Sequence, residues 1–176
     1  MSKLWNRART AWCMYDFASS AYSTNVNSFI LSAFFVKAIA SNTILGTSLW
    51  GYATAFAAFL VAIIGPIYGH NIDHSPNAKR NFVGLNLLTI MSIALWWFVH
   101  PGTSGTLLAL ALCLVSNFCY ELGWILYNAM GKCLNPESHM GRFSAWGYAF
   151  GYLGGTFCLV LVLFILVQNH LNNELG

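Results

Sequence analysis

Charged residues are scarce in this sequence of 176 residues. Only 7% are Asp, Glu, Lys or Arg, whereas an average soluble domain carries about 25%. Eight basic and five acidic residues are too few to cover a globule of this size in water, which argues against a soluble enzyme. The net charge of +3 is too small and too scattered for a nucleic-acid-binding surface. With 57% hydrophobic residues, the composition is that of an integral membrane protein.

The sequence also lacks the patterns of a catalytic or metal site. Its five cysteines follow no C-x-x-C or zinc-ligand spacing, and we interpret them as small buried hydrophobes. The histidines fall at loops or span ends and form no ligand cluster on one helix. No nucleophile–base pair or glycine-rich phosphate loop is present. We therefore expect no enzymatic activity, no metal and no cofactor.

Long uncharged stretches dominate the sequence. No Asp, Glu, Lys or Arg occurs in 38–72, 81–120 or 143–173, and a membrane-spanning helix needs about 20 apolar residues. Glycine, proline and polar clusters divide these stretches, which lack the alternation of a membrane barrel. We predict an all-α, polytopic transmembrane helix bundle, a single membrane domain over 1–176. Its five spans lie roughly at 16–39, 47–69, 82–100, 106–130 and 144–168.

The basic residues predict the orientation of this bundle. Cytoplasmic loops of membrane proteins carry an excess of Lys and Arg. Five spans place seven basic residues on one side and only Lys37 on the other. We expect a multi-pass protein of a bacterial inner (plasma) membrane with a cytoplasmic N-terminus. The cytoplasmic side then holds Lys3, Arg7, Arg9, Lys79, Arg80, Lys132 and Arg142.

A polar stripe runs along the first predicted span. Asp16, Ser20, Ser23 and Asn27 follow one another at intervals of four, three and four, which places them on one helical face. Such a stripe would cost several kcal/mol if it faced lipid. Either it makes hydrogen bonds to a neighbouring helix, or it lines a water-filled substrate path. For Asp16, near the cytoplasmic end, an interfacial anchor is a third interpretation.

A second polar face lies on the fourth predicted span, where Asn117, Glu121, Trp124 and Asn128 share the same spacing. Glu121 is near the middle of the span, where an ionised carboxylate is costly. It is a candidate proton carrier or a binding group for a cationic part of a substrate. The structural alternative is a protonated or hydrogen-bonded Glu that joins two helices.

Glycines recur at intervals of four in the fifth predicted span. Gly147, Gly151 and Gly155 permit the close approach of a neighbouring helix, since small residues let two backbones come near each other. We predict helix packing at this face, with flexing of the helix during transport as the alternative.

Four segments resemble the vacuole-effluxer-like branch of the major facilitator superfamily. The stretch 11–24 reads AWCMYDFASSAYST and is similar to the first-helix signature of that branch. LWGYA at 49–53, the region from Glu121 to YNA at 127–129, and GRFSAWGY with GYLGG within 141–155 resemble its second, fourth and fifth helices. The resemblance implies the N-terminal half only, about five of twelve helices. It also implies a cytoplasmic gating loop formed by Gly69, Asp73, Lys79 and Arg80.

The resemblance further implies a transporter-class protein that moves a small solute, with amino acids as the expected class. Members of the superfamily carry the substrate path between two pseudo-symmetric halves. We therefore expect a truncated or half-length form. Besides the lipid bilayer and the solute, its partners would be a chain that supplies the missing helices, or a second copy. The alternative is a non-transporting remnant or an accessory membrane subunit.

The predicted orientation can be tested with single cysteines in a cysteine-free background. We expect Cys at position 75 in intact cells to resist a membrane-impermeant maleimide until the cells are permeabilised. Cys at position 41, on the opposite side by the same prediction, serves as the control and should react in intact cells. Reaction at position 75 from outside would reverse the orientation.

Overall fold

A computed structural model describes residues 7–73, 77–134 and 140–175. Within these ranges the chain is almost entirely helical and contains no strand, which confirms the predicted all-α fold class. The described residues form six α-helices: α1 (Arg7–Tyr22), α2 (Ile30–Phe34), α3 (Thr43–Asp73), α4 (Ala78–Ala94), α5 (Thr103–Leu134) and α6 (Met140–Leu175).

Four of the described helices are long and apolar enough to cross a bilayer. They lie close to four of the predicted spans, and each extends a few residues beyond at least one predicted end. Helices continue past the hydrocarbon region because their polar terminal turns can be solvated at the membrane surface. The four segments are Thr43–His70, Ala78–Phe98, Ser104–Lys132 and Gly141–Gln168.

The first predicted span, 16–39, is helical but interrupted. A π-helical segment, Ser23–Phe29, follows α1, and a second one, Phe35–Ile39, follows the short α2. A π-helix makes i→i+5 hydrogen bonds and appears mostly as single turns within α-helices. Because these segments divide the region, none of its α-helices reaches the length of a span. The first span, 16–39, therefore stays a prediction.

The described chain divides into two compact units. The first combines α1 and the first π-helical segment with α6, and the second contains everything from Ala33 to Cys133. A single domain over 1–176 stays a prediction, so each unit is described by itself.

The first unit is held together by close packing of α1 on α6. A Cβ added at Gly154 would fall on the backbone carbonyl of Phe17, and one added at Gly147 would lie 2.5 Å from the indole ring of Trp12. Aromatic rings flank this contact: Trp12 stacks on Phe143 with ring centroids 4.5 Å apart. Only glycine therefore fits at these α6 positions while the two backbones keep this separation.

The second unit is organised around α5. Within its most apolar window, 44% of the residues are buried, against 17% in each of the other three candidate spans. Helix α3 approaches α5 closely at Gly65, where an added Cβ would lie 2.8 Å from Cδ1 of Ile125. An aromatic cluster joins the second π-helical segment to α3 and to the turn after α4: the ring centroid of Trp50 is 5.4 Å from that of Phe35 and 6.1 Å from that of Trp96.

The packing of α1 on α6 predicts a strong effect of one methyl group. Gly154→Ala should destabilise the protein by about 1–3 kcal/mol, because the added Cβ meets backbone that cannot rotate away. Gly84→Ala in α4, where an added Cβ meets nothing within 4 Å, is the matched control. It should be neutral or stabilising by up to about 1 kcal/mol, since Ala favours a helix. Unfolding in mixed detergent micelles, followed by circular dichroism, measures both. Equal effects of the two substitutions would contradict the packing.

Candidate functional site

The carboxyl group of Asp16 lies inside the first unit, against the glycines of α6. The side chain is only 3% exposed. Its Oδ2 lies 3.2 Å from the position that a Cβ on Gly147 would occupy, and its Oδ1 and Cγ lie 3.3 Å from that on Gly151. A glycine surface lets a carboxylate approach the helix backbone, where Cα–H groups are weak hydrogen-bond donors.

Ser20 and Thr24 continue this contact along α1 and into the first π-helical segment. Ser20 Oγ lies 2.7 Å from the Cβ position of Gly151, and Thr24 Oγ1 lies 2.5 Å from that of Gly155. Together the contacts form what we call the polar–glycine column, in which small polar side chains of one helix rest on the glycines of the other. It consists of Asp16, Ser20 and Thr24 on the first helical region and Gly147, Gly151 and Gly155 on α6.

Ser23 and Asn27, the other members of the predicted stripe, have different surroundings. Ser23 Oγ donates a hydrogen bond of 3.1 Å to the carbonyl of Ser20. Asn27 lies in the π-helical segment, and its Oδ1 is buried with no hydrogen-bond partner in the described part of the chain. The π-helical segment has more residues per turn than an α-helix. Residues at intervals of three and four therefore no longer lie on one face, and the predicted stripe is not continuous.

The predicted polar stripe did not include Thr24, although its spacing indicates it. Asp16, Ser20 and Thr24 recur at intervals of four, the same interval as the glycines of α6. Helices that pack along their i, i+4 ridges bring two such columns together. The matching periods in the first and last helices could therefore have indicated Thr24.

On α5, the predicted polar face runs from the buried interior to the surface. Asn117 is 5% exposed, and its Nδ2 donates a hydrogen bond of 2.9 Å to the carbonyl of Cys113. Glu121 is half-buried, whereas Asn128 is exposed and donates through Nδ2 to the carbonyl of Trp124 at 2.9 Å. The two amide side chains thus bond to carbonyl groups of their own helix. Glu121 is the ionisable residue of this face.

Aromatic rings line the helix beside Glu121. Trp124 stacks with Tyr120 and with Tyr127, at centroid distances of 6.5 and 5.0 Å. Glu121 lies eleven residues before Lys132, about 16 Å along the helix axis at 1.5 Å per residue. Because the candidate span ends at Lys132, this distance places Glu121 well inside a hydrocarbon layer about 30 Å thick. A carboxyl group there can hold and release a proton or attract a cation.

The residues of the predicted gating loop lie near the end of α3 and in the first turn of α4, and their gating role stays a prediction. Gly69 lies within α3, where an added Cβ would be 3.7 Å from Cγ2 of Ile125. Asp73 is the last residue of α3, and positions 74–76 lie outside the described residues. Lys79 and Arg80 are exposed in the first turn of α4. Among the described residues, no group of three or more His, Cys, Asp and Glu could hold a metal ion.

Comparison with known proteins identifies one similar transporter. Over 174 residues the chain is 29% identical to the "Uncharacterized MFS-type transporter YxiO" of Bacillus subtilis (strain 168). The match covers 96% of this chain and 40% of that protein, so the chain spans less than half the length of the curated relative. No family model matches the chain, and no solved structure matches it.

These observations define a class of protein. Four apolar helices and the similarity to a transporter make the chain an integral, multi-pass membrane protein with a helical fold that matches part of a transporter bundle. The homology to an MFS-type transporter supports membership in the major facilitator superfamily.

The polar–glycine column predicts energetic coupling between Ser20 and Gly151. Gly151→Ala should destabilise the protein by about 1–3 kcal/mol, because the new Cβ meets Ser20 Oγ. Ser20→Ala removes this oxygen, and the double variant should be more stable than the sum of the single effects by about 0.5–2 kcal/mol. Unfolding in mixed micelles measures the free energy of unfolding of the parent chain, the two single variants and the double variant, which together form a double-mutant cycle.

Ser28→Ala provides the matched control for this cycle, since Ser28 is exposed and its Oγ bonds to the carbonyl of Ser23. Combined with Gly151→Ala it should be additive. If Ser20→Ala is additive as well, the contact between Ser20 and Gly151 is refuted.

Proposed function

We propose that the chain forms the N-terminal part of a transporter of the vacuole-effluxer-like branch. It moves a small solute, with amino acids as the substrate class. The observation that carries the proposal is the similarity to an MFS-type transporter, which extends over 96% of the chain. The segments at 11–24, 49–53, 121–129 and 141–155 support the finer assignment to the branch, because they resemble four of its helices in the right order.

The proposed substrate path includes the polar face of α5. Asn117 and Glu121 are the polar members of this face that are buried or half-buried, and Glu121, deep in the span, is the proposed proton carrier. An ionisable residue at this depth marks a transport or proton pathway by default. The burial of Asn117 and the partial burial of Glu121 support this assignment, because a path lies inside the protein and away from lipid.

Asp16 takes a different part in this proposal. Its carboxyl group packs on Gly147 and Gly151, a contact that depends on close approach of α1 and α6. We propose that Asp16 and Ser20 act on the path through the separation of these two helices. A rocking or gating motion of helices against each other is the usual basis of alternating access.

The remaining helices of the transport unit come, in this proposal, from another chain or from a second copy. In major facilitator transporters the substrate site lies between two halves, and the match covers 40% of the similar transporter. The protein would lie in a bacterial inner membrane with its N-terminus in the cytoplasm, as the distribution of basic residues favours.

Reconstitution tests the proposal. Liposomes that contain the chain should accumulate radiolabelled amino acids from a mixture when a proton gradient is imposed, above the level of empty liposomes. Glu121→Gln should reduce this uptake at least about tenfold, because the amide cannot carry a proton. Glu137→Gln makes the same chemical change in a predicted loop outside the spans and should leave uptake unchanged.

The outcomes separate the two parts of the proposal. Uptake equal to that of empty liposomes contradicts transport by this chain alone or with a second copy, and it favours either a separate chain that supplies the missing helices or the accessory-subunit alternative. Uptake that Glu121→Gln leaves intact contradicts proton coupling through Glu121 while transport stands.

A further inference from the structure

An apolar groove of about 520 Å³ opens in the second unit. One wall is the end of the second π-helical segment and the start of α3, and the other is the turn between α4 and α5 together with the start of α5. Its aliphatic lining includes Ile39, Leu45, Leu49, Pro101, Leu107 and Leu110.

The backbone of the turn beside this groove requires glycine at two positions. Gly102 has φ +127°, a conformation that L side chains rarely adopt, so glycine is required there. A Cβ added at Gly105 would collide with the backbone carbonyl of His100. Thr106 Oγ1 donates to the carbonyl of Gly102 at 2.9 Å and approaches the carbonyl of Ile39 at 3.4 Å. The hydroxyl thus links the two walls and presents little polarity to the groove.

The candidate spans place the groove at the membrane boundary, with part of its lining inside the hydrocarbon. Candidate spans end or begin at Thr43, Phe98 and Ser104. From Ser104 to the lining residue Leu110 the helix advances six residues, about 9 Å. A cavity of this size with an aliphatic lining suits an apolar ligand, and at this depth the available apolar ligand is the acyl chain of a lipid.

One lysine directly precedes the groove in sequence. Lys37 is exposed in the last turn of the second π-helical segment, immediately before the lining residue Ala38. No other Lys or Arg and no Asp or Glu occurs in 17–72 or 81–120, so no charge in the neighbouring elements opposes it. A lysine at a membrane surface attracts anionic lipid head groups.

We propose that the groove is a binding site for an anionic phospholipid, whose acyl chain lies between the two walls and whose head group pairs with Lys37. The lining includes neither Asn117 nor Glu121, and the proposal does not depend on transport.

Photochemical labelling of the full chain in lipid nanodiscs tests this proposal. Phosphatidylglycerol and phosphatidylcholine, each with the same diazirine-bearing acyl chain, are compared, and labelled peptides are mapped by mass spectrometry. Phosphatidylglycerol should label 38–49 and 101–110 about fivefold more than phosphatidylcholine, a preference of the size expected for one lysine at the surface. Lys37→Gln should bring the two lipids to equal labelling.

A second pair of variants tests the groove itself. Leu110→Trp fills it and should reduce labelling by both lipids, whereas Leu88→Trp, at an exposed position of α4 outside the lining, should not. Lys37 is exposed, so Lys37→Gln should fold normally. It therefore tests the proposal even if Leu110→Trp fails to fold. Equal labelling by the two lipids in the parent chain would overturn the proposal. So would an unchanged ratio in Lys37→Gln, or displacement of the label by a water-soluble amino-acid mixture.

Discussion

Polar groups inside a bilayer must find partners within the protein, since water is not available there. The described chain meets this constraint first with its own helices. In α4, for example, Asn86, Thr89 and Ser92 each donate a hydrogen bond of 2.8–3.0 Å to the carbonyl four residues earlier. Such bonds satisfy the side chains without a neighbouring helix. Polar residues in the spans are therefore compatible with lipid-facing helices, and they mark a path only where burial or charge adds to them.

The polar–glycine column meets the same constraint in another way. The carboxyl group of Asp16 is kept from lipid by close packing on Gly147 and Gly151. The contact requires a column of small side chains on one helix and glycines on the other. It also makes the separation of α1 and α6 sensitive to any change at these positions. Glu121 differs, because it is half-buried on the central helix of the other unit and is the stronger candidate for a proton carrier.

Much of the fold follows from the sequence, because charge-free stretches and turn residues locate the spans of α3, α4, α5 and α6. The interruption of the first helical region was not predicted, since π-helical segments such as Ser23–Phe29 leave the apolar pattern unchanged. The wider turn of this segment explains why Asp16 and Ser20 contact α6 while Asn27 does not belong to the polar–glycine column. Spacing placed these residues on a common face, but it could not name the helix opposite, which depends on packing between distant parts of the chain.

Disulfide formation across the polar–glycine column tests this account most directly. A Cβ at Gly155 would lie 3.4 Å from Thr24 Cβ, close to the 3.5–4.5 Å separation typical of disulfides. In a background without the native cysteines, Thr24→Cys with Gly155→Cys should cross-link rapidly under mild oxidation in membranes. Thr24→Cys with Thr156→Cys, one residue further at an exposed position, should not. Equal rates for the two pairs, or faster reaction of the second, would contradict the packing of the first helical region on α6.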